Sequence, residues 1–162
     1  MPTPLPKMQG FHVKRGSNTC IVEFAPDSSK VGIALIRDLK TRMSELNARD
    51  GVLVASGLTH SAVTELRHMV ISEGIYICAM TPESLQFDLT EHKAVPPHKL
   101  MTPDEREQLL KTYPAEVLPI ISLDDPVSKY YGAHPGDVFE ITRTRPNVGK
   151  HTYYRIVTIQ KD

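Results

Sequence analysis

Residues 51–70 read GVLVASGLTHSAVTELRHMV. A short apolar run between Gly51 and Gly57 gives way to a helical period. Apolar runs of this kind suit a strand buried on both faces, as in a parallel sheet. Thr59 stands where a helix N-cap is needed, and its hydroxyl would meet the free N–H groups of the first turn. Upstream, a helical period starts at Val31. It places Ile33, Ile36, Leu39, Met43 and Leu46 at steps of three and four, with Arg37, Lys40, Arg42 and Glu45 on the other faces. Asp50-Gly51 ends it. NTCIVEFA at 18–25 and the apolar run at 75–80 read as further strands. Residues 18–80 therefore read strand, helix, strand, helix, strand. That alternation predicts an α/β layer with right-handed crossovers and partly parallel strands.

The second half follows a different grammar. LQFDLT at 85–90 alternates like a strand. Pro96 and Pro97 then remove two backbone donors, so the chain there neither continues a strand nor forms a helix interior. MTPDEREQLLKTY opens a helix with Thr102 as N-cap, Pro103 in the first turn and Glu105 closing a capping box. Pro114 stops it. LPIISL reads as a strand. DDPVSKYYG reads as a short helix begun by Asp124 or Asp125 and ended at Gly132. PGDVFEITR and HTYYRIVTI, joined by the turn RPNVGK, read as a closing hairpin.

The 162 residues suit one domain or two small ones. Apolar residues make up 40% and aromatics 6%, with no Trp, which gives a modest core. The 19 basic and 19 acidic residues cancel, so tight autonomous nucleic-acid binding is not implied. Arg143, Arg145, Lys150 and Arg155 follow one another with no acid between Ile141 and Gln160. They read as a solvated turn and strand edge, or else as a partner-facing basic edge. Cys20 and Cys78 lie in apolar runs and are expected as thiols in a reducing compartment. No stretch is apolar enough to span a membrane. Residues 1–17 are expected as a proline-rich, extended lead-in without a signal peptide, and the chain as soluble and intracellular.

Several residues invite chemical readings. Glu91, His92 and His98 suggest a metal site or an acid–base pair, hence a small metal-dependent enzyme. Their spacing fits no common zinc pattern, and no nucleophile or Gly-rich loop accompanies them. The favoured reading is polar stitching of an irregular, proline-rich junction. The helix start at Thr59 is a cap or a phosphate contact. Tyr130, Tyr131, Tyr153 and Tyr154 are half-buried packing or a base-stacking platform. The platform reading, with the basic tail strand, would make a free-standing RNA- or DNA-binding module.

LTEHKAVPPHKLMTPDEREQLLKTY, LPIISLDDPVSKYYGAHPGDVFEITR and GKHTYYRIV together resemble the shared fifth-largest subunit of eukaryotic nuclear RNA polymerases and its archaeal counterparts. The matching positions are Glu91-His92, Val95-Pro96-Pro97-His98, Leu118-Pro119-Ile120-Ile121, Asp125-Pro126-Val127, Tyr130, Gly132, Gly136-Asp137-Val138, Ile141, Arg143 and Tyr154-Arg155-Ile156-Val157. KVGIALIRDLKTRM at 30–43 and GLTHSA at 57–62 are similar, more weakly, to the eukaryotic jaw domain. Departures include His60 for a proline, Val63 for a lysine-like residue, Ile120 for an arginine, Ala94 for leucine, Lys129 for arginine and His151 for tyrosine.

The resemblance implies an α/β (α+β) fold. It consists of a short, truncated α/β jaw domain at 18–88 and an α+β assembly domain at 89–162 with a mostly antiparallel sheet. It implies a non-catalytic polymerase subunit, without metal or cofactor, in the nucleus. Its expected partners are the largest subunit and other polymerase subunits, with downstream double-stranded DNA contacted weakly within the complex. No membrane partner is expected. Thr59, His60 and Ser61 would face DNA. Glu91, His92, Pro96, His98, Asp125, Pro126, Tyr130, Gly132, Arg143, Tyr154 and Arg155 would form the assembly or structural motif. The departures suggest a divergent paralogue dedicated to RNA polymerase I, hence nucleolar.

Overall fold

The computed structural model describes residues 9–15, 18–25, 30–145 and 149–159. The prolines near the start, the PDSS break and the PNV turn lie outside the described residues. The chain divides into two compact units, Met1–Phe87 and Asp88–Asp162. Asp88 therefore joins the second unit, not the first.

In the first unit, β1 (Gln9–Arg15), β2 (Asn18–Phe24), β3 (Asp50–Val54) and β4 (Tyr76–Met80) form one sheet in that order. β2, β3 and β4 are parallel, as the alternation with helices requires. The antiparallel strand β1 corrects the expected lead-in through residue 17. The prolines stop at Pro6. From Phe11 the sequence alternates apolar and polar, a strand period that the nearby prolines obscure.

α1 (Ile33–Glu45) and α2 (His60–Glu73) connect the parallel strands. Ile21, Leu53 and Ile77 share one sheet face and pack with Leu35, Ile36, Leu39 and Met43 of α1 and with Ala62 and Met69 of α2. Each Ile, Leu or Met side chain among them contributes about 1.5–3 kcal/mol on burial. Thr59 caps α2 by accepting from the Ala62 N–H at 3.3 Å, and Gly74 ends it with φ 64°. The opposite sheet face is less covered, with Phe11, Val13 and Phe24 exposed.

In the second unit, β5 (His98–Leu100), β6 (Ile120–Ser122), β7 (Val138–Arg145) and β8 (Gly149–Thr158) form a sheet ordered β5-β7-β8-β6. β5–β7 and β7–β8 are antiparallel, and β6–β8 is parallel. α3 (Pro103–Thr112) carries the full capping box, with Thr102 accepting from the Glu105 N–H and Glu105 from the Thr102 N–H. Leu109 and Leu110 of α3 pack with Leu118, Val138 and Ile156 on one sheet face. α4 (Pro126–Tyr131) lies on the other face, where Tyr131 meets Phe139 edge-on at 5.5 Å.

The expected strand at 85–90 does not form. Two 3-10 turns, Glu83–Leu85 and Leu89–Glu91, stand there instead. The Asp88 carboxylate accepts from the Thr90 N–H at 2.8 Å, and this local bond outcompetes a ladder.

One polar contact is deeply placed in the first unit. Glu23 is 4% exposed and pairs with Arg42 of α1. Its Oε2 and the Arg42 Nε have no partner among the described residues. Gly10 of β1 sits opposite, where a Cβ would lie 2.7 Å from the Glu23 Cδ. Burial pushes the Glu23 carboxyl up from its ordinary value, Arg42 pulls it down and Asp38 raises it. Removing one partner of a buried pair leaves an uncompensated charge. We predict that Arg42→Ala destabilises the chain by about 3 kcal/mol in urea unfolding. Because the native carboxyl titrates high, this loss should shrink as pH falls and Glu23 becomes protonated. A loss independent of pH would contradict the assignment.

Candidate functional site

The junction that carries Glu91, His92, Pro96 and His98 is built from short-range bonds. The second 3-10 turn is capped by Asp88, which accepts from the Thr90 N–H and, at 2.6 Å, from the Thr90 hydroxyl. The His92 Nδ1 accepts from the Ala94 N–H at 3.2 Å. Facing a carbonyl, the His98 Nδ1 donates to the Pro96 oxygen at 2.6 Å. The two rings therefore hold opposite tautomers at these nitrogens, each satisfying backbone next to the prolines. Glu91 is exposed. Among the described residues no group of three His, Cys, Asp or Glu is placed to hold a metal, so the ligand set needed by the metal reading is not assembled.

α4 reaches back to this junction. Asp125 is its N-cap, accepting from the Val127 N–H at 2.8 Å, with Pro126 in the first turn. Gly132 closes it at φ 60°, a conformation that costs glycine little. The short helix presents two successive tyrosines. Tyr131 donates its hydroxyl to the His98 carbonyl at 2.8 Å. Tyr130 donates to the Asp88 Oδ2 at 3.1 Å. The His98 ring and Tyr131 both meet Phe139 edge-on, at 5.8 and 5.5 Å. The separated motifs at 88–98 and 125–132 thus form one polar and aromatic cluster. Burial pushes the Tyr131 phenol up, with Tyr130 and Asp88 adding to it.

The remaining motif residues lie on the hairpin. Tyr154 packs beside Leu118, Val138 and Ile156. Arg155 stands across from Phe139 on the other face. Arg143 shares that face and lays its guanidinium 5.3 Å from the Tyr153 ring centroid, a cation–π distance. At the Gly-Asp turn, Asp137 accepts from the His134 N–H at 2.8 Å and pairs with Arg106 of α3 at 3.0 Å.

Thr59, His60 and Ser61 belong to the first unit. There the Thr59 hydroxyl caps α2 and lies 3.1 Å from that of Ser61, while His60 is exposed.

Sequence reading misses Asp88, and it names Tyr131 as half-buried packing or a stacking platform without finding its partner His98. The signal for Asp88 is the Asp-Leu-Thr spacing of an Asx cap. Nothing local distinguishes Tyr131, because its bond reaches 33 residues back.

Asp88 gives a pH test. The Thr90 hydroxyl, then the Thr90 N–H, then Tyr130 hold its carboxyl below the usual range. A depressed native value gives a stabilising contribution that is present above the unfolded pKa, about 3.9 for Asp. The contribution is lost as pH falls through the lower native value. NMR titration should find the Asp88 midpoint below the ordinary one, with Tyr130 ring signals shifting in the same step. Asp88→Asn should abolish that Tyr130 response. A midpoint at or above the ordinary value would contradict the bonding.

The model of the RNA polymerase Rpb5 C-terminal domain matches residues 87–157. A Caenorhabditis elegans protein, DNA-directed RNA polymerases I, II, and III subunit RPABC1, is 34% identical over 138 residues, 83% of this chain and 64% of that protein. The chain thus spans 64% of the length of that relative. The Dictyostelium discoideum protein of the same description is 31% identical over 150 residues, covering 90% of this chain and 76% of that one. The Rpo5 subunit of Thermococcus onnurineus is 42% identical over 74 residues, 44% of this chain and 90% of its own length. The chain belongs to the family of the fifth-largest shared subunit of RNA polymerases, RPABC1 in eukaryotes and Rpo5 in archaea.

Proposed function

We propose that this chain is a non-catalytic structural subunit of a nuclear DNA-directed RNA polymerase. The second unit serves as its assembly domain. The carrying observation is that the family match falls on this unit, whose motif residues are occupied in holding its own backbone together. An archaeal relative matched over 90% of its length by 74 residues of this chain, about the length of the second unit, supports a role for a part of that size alone.

In this reading the second unit docks on the largest subunit. Its exposed apolar anchors are Val117, 66% exposed, and Ile120, 57% exposed, at the β6 edge of the sheet. Apolar and aromatic anchors of this kind carry most of the energy of protein interfaces. The first unit is the jaw and lies along downstream DNA, with Thr59, His60 and Ser61 at the α2 N-terminus toward the duplex. A neutral chain suits this arrangement, because the whole polymerase supplies the positive field. The protein then resides in the nucleus. The departures at Ala94, Ile120, Lys129 and His151 suggest service to RNA polymerase I, and therefore the nucleolus.

Affinity purification of the tagged chain from cells should recover the largest subunit of one polymerase. Val117→Asp with Ile120→Glu should lower that recovery at least about tenfold, since each anchor is worth more than about 1 kcal/mol, while α3 and the sheet persist by circular dichroism. Recovery of no large subunit removes the reading. A photocrosslinker at position 60 in the purified polymerase should label downstream duplex DNA. Labelling of protein alone would remove the DNA-facing role and leave the docking role standing.

A further inference from the structure

The second unit holds a cleft of about 600 Å³ whose lining includes Pro96 and Arg143 of the assembly motif. The Lys93–Pro97 segment forms one wall, and Thr142, Arg143, Thr144 and Lys150 of the hairpin form the other. Three lining residues are cationic and none is acidic. Lys93, Arg143 and Lys150 are exposed and have no carboxylate partner among the described residues. Val95, Pro96 and Pro97 supply an apolar wall between them.

The same cleft exposes a strand edge. β5 ends its pairing with β7 at His98↔Ile141, and the Thr142 N–H then donates to the Pro97 carbonyl at 3.1 Å. Beyond Pro97 the pairing stops. The Val95 N–H turns back to the His92 carbonyl at 2.9 Å, so the chain curls away from β7. Backbone groups on a strand alternate in direction. The N–H and C=O of Thr144, two residues past Thr142, therefore point to this side, where no described strand lies beside them. An unpaired edge accepts an extended chain through its main-chain groups, and flanking pockets select the side chains.

We propose that this cleft binds an acidic, extended peptide segment of a partner protein. The peptide adds a short strand to β7 beside Thr142–Thr144, and its carboxylates meet Lys93, Arg143 and Lys150. Three cations without a counter-charge among the described residues set the sign of the partner. The apolar Val95-Pro96-Pro97 wall and the open backbone edge favour a peptide over nucleic acid, whose phosphates would leave the Thr144 N–H and C=O without a matched strand. The inference does not depend on the polymerase assignment, because it concerns a surface of the isolated chain.

The test is NMR titration of the full chain with a short peptide alternating glutamate and threonine. Binding should weaken with salt and shift the amides of Thr142, Arg143, Thr144, Lys93 and Val95. Lys93→Glu with Lys150→Glu should weaken it at least about tenfold, because like charges then face the ligand. Both positions are exposed, and unchanged amide spectra elsewhere would verify folding. The same peptide N-methylated at alternate amides should lose most of its affinity while keeping its charge. No binding, binding undiminished in the double variant, or equal affinity of the N-methylated peptide would overturn the proposal. Tighter binding of a duplex DNA of equal charge to the same amides would overturn it in favour of a nucleic-acid site.

Discussion

The Tyr131 hydroxyl donates to the His98 carbonyl at 2.8 Å, and the second unit is arranged around that bond. Two prolines before His98 leave the chain without donors just where it enters the sheet as β5. A three-residue strand is a weak hold on so stiff a segment. Tyr131 strengthens it from the far side, and the Phe139 ring fills the space between Tyr131 and the His98 imidazole. Tyr130 extends the hold to Asp88 and so fixes the start of the unit. The histidines that suggest chemistry at first sight are occupied in this stitching, each bound to a backbone group within two residues.

The first unit depends on a different compromise. Its helices cover one sheet face with aliphatic side chains, yet Glu23 lies on that same face and is almost fully buried. Arg42 neutralises it only in part, since burial still dominates the carboxyl's titration. Such a pair adds little net stability over an apolar replacement, but breaking one half of it is costly. The glycine opposite, Gly10, lets β1 approach the carboxylate closely. β1 and α1 are thus tied to the same buried charge from two sides.

The hairpin β7–β8 serves two ends differently. Near Val138 and Ile156 it is core, sandwiched between α3 on one face and α4 on the other. Beyond Thr142 it runs past the short strand β5 and becomes an open, basic edge. Arg143 lies on this outer part and stacks on Tyr153. A family motif residue can therefore be exposed and still be held in one direction.

Much was legible from local pattern. The caps at Thr59, Thr102 and Asp125, the stop at Gly132 and the 3.6-residue period of α1 each concern groups within a turn of one another, so the sequence states them directly. The alternation of strands and helices also carried the parallel order of β2, β3 and β4. Local pattern failed at 9–15, where prolines masked a strand whose reason is its partner β2, and at 85–90, where an apparent alternation lost to an Asx cap. What only the tertiary structure decided was which distant residues meet: Tyr131 with His98, Tyr130 with Asp88, Arg42 with Glu23, and the open edge of β7 with Lys93. The physical reason is one of range. Capping and periodicity follow from bonds that close within one turn. A buried charge pair or a hydroxyl bound across the sheet exists only once packing has brought the two segments together and removed the water between them.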